Sequence, residues 1–422
     1  MHFFTRFLFL AAPLVANAAP FTLTSANALV PGKWIVQLKP GTNAASITAH
    51  HDKVRSIRAR NLARRDGNPG AGSGVEHEFH IGTFKAYVGS FDATTIEELK
   101  ALPEVLVVEQ DYIMTTSALV TQEDAPWGLA RISSRAKGST SYVYDDSAGE
   151  GTFSYIVDTG IFIDHVDFNG RAVWGANLVP NNTFDTDNQG HGTHVAGIIG
   201  STTYGVAKQT NLIAVKVFEN GRGTASTVIA GFEWAINDII SKGRQNTAVI
   251  NMSLGGKASA TWDAAISAAW EKGVLAVVAA GNENMLGSNN SPCRSEEVLC
   301  VGNAQIDDTR FPGASGSNYG DAVDIWAAGT KILSTYPTSE NATARLTGTS
   351  MASPHVAGLV SYLRGLEGAS SAADVKARVL ALATPDLVAD AMGAANLMAF
   401  NGAEQTATNK TLGYGKRTVR LA

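Results

Sequence analysis

Four short segments in the middle of the chain are apolar almost without interruption: Phe153 to Val157, Leu212 to Val217, Ala248 to Met252 and Val274 to Ala279. A strand with one wet face alternates apolar and polar residues. A run without polar residues suits a parallel strand buried on both faces. Parallel neighbours need long crossovers, and helical stretches lie between the runs at Gly192 to Ile199, Ser226 to Ile240 and Trp262 to Lys272. This alternation predicts an α/β fold, a doubly wound and mostly parallel sheet with helices on both faces. Such sheets bind ligands at the carboxyl ends of their strands. Polar residues directly after the apolar runs are therefore the ones to weigh.

The chain before residue 114 reads differently. Trp34 to Leu38 is a short strand, Ala44 to Asn61 a basic helix, Glu76 to His80 and Lys85 to Phe91 a hairpin around Gly82, Ile96 to Leu102 a second helix and Val105 to Gln110 a last strand. The order β-α-β-β-α-β is that of a small ferredoxin-like α+β domain. Arg60 to Gly74 reads as a loop, and Arg64-Arg65 within it is either a processing site or a solvated charge pair. Met114 to Ala125 is polar and without periodicity, and reads as a junction. Ala372 to Leu382 reads as a closing helix, and the polar tail follows from Gly402.

At the start, Arg6, the apolar stretch Phe7 to Val15 and the small residues Ala16-Asn17-Ala18 have the make-up of a cleaved secretory signal. The stretch is too short to span a bilayer. A formal net charge of −5 argues against a nucleic-acid or anionic-membrane partner.

Three polar residues stand where strands should end or helices begin. Asp158 follows the run Tyr155-Ile156-Val157; by itself it is as readily a turn-forming residue. His191 opens a helix in Gly190-His191-Gly192-Thr193-His194-Val195-Ala196-Gly197. Ser350 lies in Gly348-Thr349-Ser350-Met351-Ala352-Ser353-Pro354, ahead of the helical run Met351 to Leu363, and alone would read as a helix cap. Pro354 is expected in the first helical turn, where it costs no hydrogen bond. A serine hydroxyl is a poor nucleophile. It needs a base, and the base needs an anion to fix its tautomer. Asn282, after Ala279-Ala280-Gly281, offers an amide N–H₂ to a developing oxyanion. Segments such as Ser253-Leu254-Gly255-Gly256 suit main-chain pairing with an extended peptide.

The blocks around Asp158, His191 and Ser350, in that order, resemble those of the subtilisin family of serine proteases, nearest to the proteinase K-like secreted enzymes of fungi. The resemblance runs from about Trp34 to Ala403. It implies Ser350 as nucleophile, His191 as general base and then acid, Asp158 as its orienting anion, and Asn282 with the Ser350 N–H as oxyanion hole. His194 and His355 become structural. Gly221-Arg222-Gly223 and Ser253-Leu254-Gly255 become the two edges that bind substrate as an added strand. Ala279-Ala280-Gly281 and Leu254-Gly255-Gly256 become the walls of the S1 pocket. No acid occurs in those segments, so an apolar or aromatic P1 residue is expected.

The domain boundaries implied are a signal at 1–18, an inhibitory and chaperoning propeptide at 19–117, a peptidase domain at 118–403 and a tail at 404–422, with the activating cut near Ser117. The partners implied are protein or peptide substrates and the chain's own propeptide. The product reads as a secreted monomer, with a vacuolar destination as the alternative. A non-catalytic binding protein on this fold would have a damaged triad or lack the oxyanion donor, and all four residues are present.

The chain also departs from its relatives. Val195 stands where some carry a cysteine, and most disulfides of the proteinase K group are missing. Cys293 and Cys300 either close one small loop or remain free. No cofactor is needed for the chemistry. Asp324 matches a calcium ligand whose companions would be the carbonyls of Glu297 and Leu299; a solvated aspartate is the plain alternative. Sequons at Asn181, Asn289, Asn341 and Asn409 are glycosylation candidates. The sequon at Asn251 falls in a buried strand and is expected to stay bare.

Overall fold

The computed structural model describes residues 29–63, 74–112 and 119–403. The signal segment, Arg64-Arg65, the cut near Ser117, the tail from 404 and the sequon at Asn409 lie outside the described residues. The chain divides into two units, Met1–Met114 and Thr115–Ala422.

The first unit holds β1 (Leu29–Leu38), α1 (Ala44–Ala63), β2 (Gly74–Ile81), β3 (Phe84–Ser90), α2 (Ala93–Lys100) and β4 (Val105–Tyr112). The sheet order is β2-β3-β1-β4, and every pair is antiparallel. This is the ferredoxin-like arrangement expected. Asp92 caps α2 by accepting from the Thr95 N–H. The core is small: Val36 and Leu38 from β1, Val54 and Ile57 from α1, Tyr87 from β3, Ile96 and Leu99 from α2.

The second unit begins with β5 (Leu119–Gln122), α3 (Trp127–Ile132) and β6 (Tyr142–Asp145). β5 lies in the stretch read as an unstructured junction. Four residues are too few to show alternation, and pairing with β6 is what makes them a strand. There follow β7 (Phe153–Asp158), β8 (Ala172–Asn177), α4 (His191–Gly200), β9 (Asn211–Lys216), α5 (Ala225–Ser241), β10 (Ala248–Met252), β11 (Gly256–Lys257), α6 (Ala260–Glu271), β12 (Ala276–Ala279), β13 (Asn290–Ser291), β14 (Val298–Ala304) and β15 (Ile325–Ala328). The chain then adds the hairpin β16 (Ile332–Thr335) and β17 (Thr343–Leu346), α7 (Thr349–Leu366), α8 (Ala372–Leu382), β18 (Thr384–Pro385) and β19 (Leu397–Met398).

Among the described residues the main sheet has the order β18-β19-β15-β14-β12-β10-β7-β9-β8. All its pairs are parallel except β18 with β19. Alternate residues of each strand serve opposite faces. Ile156, Val249 and Val277 pack against α4 and α7, whereas Tyr155, Ile250 and Val278 pack against α5 and α6. Both faces are therefore apolar, which is why the runs lack polar residues. α7 is the central rod of one layer: every residue from Met351 to Arg364 is buried. Truncating such a side chain, for example Leu359→Ala, costs about 2–5 kcal/mol.

Candidate active site

The strands β12, β10 and β7 are neighbours, and each ends beside one expected site residue. Asp158 is the last residue of β7. Ser253 follows β10 directly. Asn282 lies three residues past the end of β12. In the β7–β10 register Asn251 stands opposite Ile156. Ser253 and Asp158 follow at the carboxyl ends of these two adjacent strands.

His191 sits on the Asp158 side of this rim. Its Nδ1–H donates to the Asp158 carboxylate at 2.9 Å. Asp158 is 1% exposed and also accepts from the Thr159 N–H at 2.7 Å. With Nδ1 carrying the proton, Nε2 keeps a lone pair and can act as a base. The glycine after His191 is needed for close approach, since a Cβ on Gly192 would lie 2.1 Å from the Gly160 carbonyl oxygen.

Ser350 sits on the Ser253 side. Its Oγ–H donates to the Ser253 carbonyl at 3.1 Å, and the Ser253 Oγ–H donates back to the Ser350 carbonyl at 2.8 Å. The hydroxyl thus rests on Ser253 rather than on the imidazole. Helices α4 and α7 carry the two residues at matching depths. A Cβ on Gly358 would lie 2.9 Å from the Ile199 carbonyl, and His191 and Ser350 each precede that contact by eight residues, about 12 Å of helix. The base and the hydroxyl are brought to one rim, on adjacent strand ends.

Pro354 is not in the first turn, as the sequence suggested, but sixth in α7. A residue there would normally donate its N–H to the carbonyl of Ser350. The Ser253 hydroxyl takes that place. It is set in turn by Asn251, whose amide donates to Ser253 Oγ at 3.0 Å and accepts from Ser353 Oγ at 2.8 Å.

The Asn282 carbonyl oxygen accepts from Thr349 N at 2.9 Å and Thr349 Oγ1 at 3.1 Å. Its N–H₂ is left facing away from these donors. The Ser350 N–H belongs to the first turn of α7 and has no intrahelical acceptor. Both of these N–H groups, the expected oxyanion donors, are therefore uncommitted among the described residues.

The substrate edges fall on either side. Ser253-Leu254-Gly255-Gly256 extends beyond β10, and Gly221-Arg222-Gly223 beyond β9, with Gly221 to Gly223, Gly255 and Gly256 exposed. Ala279, Ala280 and Gly281 are buried, and their backbone is engaged: Ala280 N donates to Val301 O, Gly281 N to Thr349 Oγ1, and Asn318 closes on Ala280 O. These segments contain no acid, but Glu283 folds back onto them. A Cβ on Gly281 would lie 2.6 Å from its Oε2, which accepts from Asn318 Nδ2 at 2.8 Å.

Two residues went unnoticed in the sequence. Asp187, buried, accepts from Thr159 Oγ1 at 2.8 Å, Gly190 N at 2.8 Å, Thr193 N at 2.9 Å and Thr193 Oγ1 at 2.5 Å. It ties the start of α4 to the loop after Asp158. Its only sequence signal is an acid a few residues before a helix start. Lys216, also buried, donates to the carbonyls of Thr159 at 2.8 Å and Phe218 at 2.9 Å and meets Glu219 at 2.9 Å.

The three histidines differ by their partners. Burial alone lowers the pKa of His191, but the charge and hydrogen bond of Asp158, with a further contribution from Asp187, outweigh it and raise the net value above 6.5. Burial pushes His194 and His355 down to about 4. His194 Nε2 lies on the carbonyls of Ile332 and Ala344, and His355 Nδ1 on that of Met351. Both stay neutral inside the core.

Cys293 and Cys300 form a disulfide with Cα atoms 5.0 Å apart. Asn181, Asn289 and Asn341 are exposed, and Asn251 is fully buried. The carbonyls that converge on Asp324 are those of Glu296 and Val298, not Glu297 and Leu299, and they are already occupied by the ammonium of Lys376. The residues present do not fit a calcium ion.

Residues 149–415 match the Subtilase family, and residues 33–117 match Peptidase inhibitor I9. Alkaline protease 1 of Aspergillus clavatus is 50% identical over 89% of this chain and 92% of its own length. The alkaline proteinase of Hapsidospora chrysogena is 49% identical over 93% of this chain and 97% of its own. The crystal structure of a cold-adapted subtilisin-like serine proteinase superposes with a TM-score of 0.62 at 36% identity, covering 67% of this chain and 100% of that one. The chain belongs to the subtilase family and is a serine endopeptidase with an I9-type pro-region.

Proposed function

We propose that this subtilase is a secreted endopeptidase made as a zymogen, in which Ser350 attacks the peptide carbonyl and His191 takes its proton. Asp158 holds the imidazole in the Nδ1–H tautomer and stabilises its cation. The carbonyl oxygen, turned oxyanion, is received by the Asn282 N–H₂ and the Ser350 N–H. As the C–N bond breaks, His191 returns the proton to the leaving amine. Water then repeats the sequence on the acyl-enzyme, with Ser350 as leaving group. The observation that carries this reading is that the Asp158–His191 pair and the Ser253–Ser350 pair lie at the carboxyl ends of the adjacent strands β7 and β10. The resting Ser350 Oγ–H turns from the Ser253 carbonyl to His191 Nε2 when substrate binds.

Substrate lies as a strand between Gly221-Arg222-Gly223 and Ser253-Leu254-Gly255, with an apolar or aromatic P1 side chain between Leu254-Gly255-Gly256 and Ala279-Ala280-Gly281. Glu283 is the group that would admit a basic P1 residue, and its bond to Asn318 holds it back. A cleavage profile dominated by Lys or Arg would overturn this part.

Residues 1–18 are removed as a signal, 19–117 act as intramolecular inhibitor and folding template, 118–403 form the peptidase, and 404–422 are a tail. Folding a parallel sheet of distant strands is slow, and a fast-folding antiparallel unit suits a template's role. No helix among the described residues is long and apolar enough to cross a membrane. Glycans at Asn181, Asn289 and Asn341 fit their exposure. The chemistry calls for no cofactor.

The test is labelling of the processed protein with a fluorophosphonate, with and without Ser350→Ala. Covalent labelling that disappears in the variant is expected. Processed protein that takes no label, or a variant that keeps it, removes the reading.

A further inference from the structure

The amino edge of the sheet holds a second arrangement of partly buried polar groups that the catalytic reading does not use. Asp324 stands immediately before β15, and its Oδ2 accepts from the Cys300 N–H at 2.8 Å. Glu296 and Glu297 form a turn at the entry of β14, and the carbonyls of Glu296 and Val298 on either side of Glu297 are aimed at one point. Lys376, from α8, reaches into the space between them. Its ammonium donates to Glu296 O at 2.5 Å and Val298 O at 2.6 Å, and lies 3.9 Å from Asp324 Oδ1. The Lys376 and Asp324 side chains are 15% and 25% exposed.

A carboxylate and two carbonyls converging on one point form a hard-oxygen set that attracts a hard cation. Here the point is taken by a cation that the chain supplies itself. We propose that Lys376 is a tethered substitute for a metal ion: its ammonium fills a latent divalent-cation site, bolts α8 to the entry of β14, and makes this part of the fold independent of calcium. The charges support the assignment. The Asp324 carboxylate already faces one ammonium, with the Glu296 carboxylate near enough to act on it as well, and calcium beside the lysine would have to share the same two carbonyls. The linkage is also long-range, joining residue 376 to residues 296, 298 and 324. A free ion must be captured from solution, but a lysine on a formed helix arrives with the fold. The proposal does not depend on the protease reading.

Thermal midpoints of the full chain in a Ser350→Ala background, which removes self-digestion from the readout, test it. They are compared in excess EDTA and in millimolar calcium chloride. Responses are taken relative to Asp324→Asn, so that a metal bound elsewhere cancels. With Lys376 present no calcium response is expected. Lys376→Met, which deletes the ammonium and keeps the stem, should lower the midpoint in EDTA by about 4 °C or more and regain it in calcium, because the vacated oxygens then take the ion. A calcium response in the Lys376 chain that Asp324→Asn abolishes overturns the proposal. So does a Lys376→Met chain that folds but ignores calcium. Should that variant fail to fold, calorimetric titration of the Lys376 chain with calcium decides: no binding traceable to Asp324 is expected, and binding lost in Asp324→Asn overturns it.

Discussion

The two edges of the main sheet each hold a carboxylate, buried at Asp158 and partly buried at Asp324, and the partners differ. At the carboxyl edge Asp158 closes β7 and holds the imidazole of His191, with one ring nitrogen bonded and the other free. At the amino edge Asp324 precedes β15 and faces an ammonium whose bonds are spent on two carbonyls. The first partner keeps a ring nitrogen for chemistry; the second is held between two carbonyls. An acid at a strand end therefore orients an imidazole at one edge and meets a lysine at the other. What separates the two is the partner's chemistry and whether a polar atom is left over.

The raised pKa of His191 sharpens this. The folded state holds that proton more tightly than the unfolded chain does. The ion pair's contribution to stability is thus complete below pH 6.5 and is lost as pH rises through the raised value. The carboxyl edge relinquishes stability over the range in which a neutral base is needed. Asp158→Asn should break it most severely. A triad whose acid is replaced by its amide loses about 10⁴-fold in kcat, because the amide favours the wrong tautomer. Without the carboxylate burial is opposed only by the smaller contribution of Asp187, so the acid limb of kcat/KM should move to lower pH. A pH–rate profile checks both, and an unmoved limb would detach Asp158 from the titration of His191.

Asn282→Ala is the next largest expected effect. A subtilase loses about 10²–10³-fold in kcat when this kind of donor is removed. The variant leaves Asp158 and His191 untouched, so the limb of the pH profile should stay while the rate falls. An equal shift of both would mean that Asn282 acts through the charges at this edge and not on the oxyanion.

These residues were legible in the sequence for a local reason. Asp158, His191, Asn282 and Ser350 each sit at a strand end or a helix start, and an apolar run adjoining a glycine marks those places within a few residues. What was not legible depends on pairing between distant segments. Leu119–Gln122 becomes a strand only because Tyr142–Asp145 lies beside it. Lys376 looks like any helix-surface lysine until α8 is set against β14. The carbonyl pair was placed one residue off, at Glu297 and Leu299. Glu296 and Glu297 lie in a turn at the entry of β14, and nothing in the residue types fixes which carbonyls that turn aims at Lys376. Glu283 was overlooked in the S1 wall because it lies outside the three-residue segment, although a turn at Asn282 folds it back. Pro354 was read as a first-turn proline because the helix start was taken two residues late.

That displaced proline yields the smallest effect and a distinct one. Pro354 has no N–H to give the Ser350 carbonyl, and Ser253 supplies the donor from β10's end at 2.8 Å. The nucleophile's own backbone is therefore held by a neighbouring strand and not by its helix. Ser253→Ala leaves a carbonyl beside the reacting atoms without its partner, a penalty of about 1–3 kcal/mol. Part of that appears as a looser Ser350. The expected result is a kcat about tenfold lower with KM nearly unchanged, since the main chain of Ser253 that meets substrate is retained. The acid limb of the pH profile should not move. Ser253→Thr keeps the hydroxyl and should restore the rate. If Ser253→Ala lowers only the thermal midpoint and leaves kcat intact, the bond belongs to cohesion, and the contrast between the two edges is weaker than drawn.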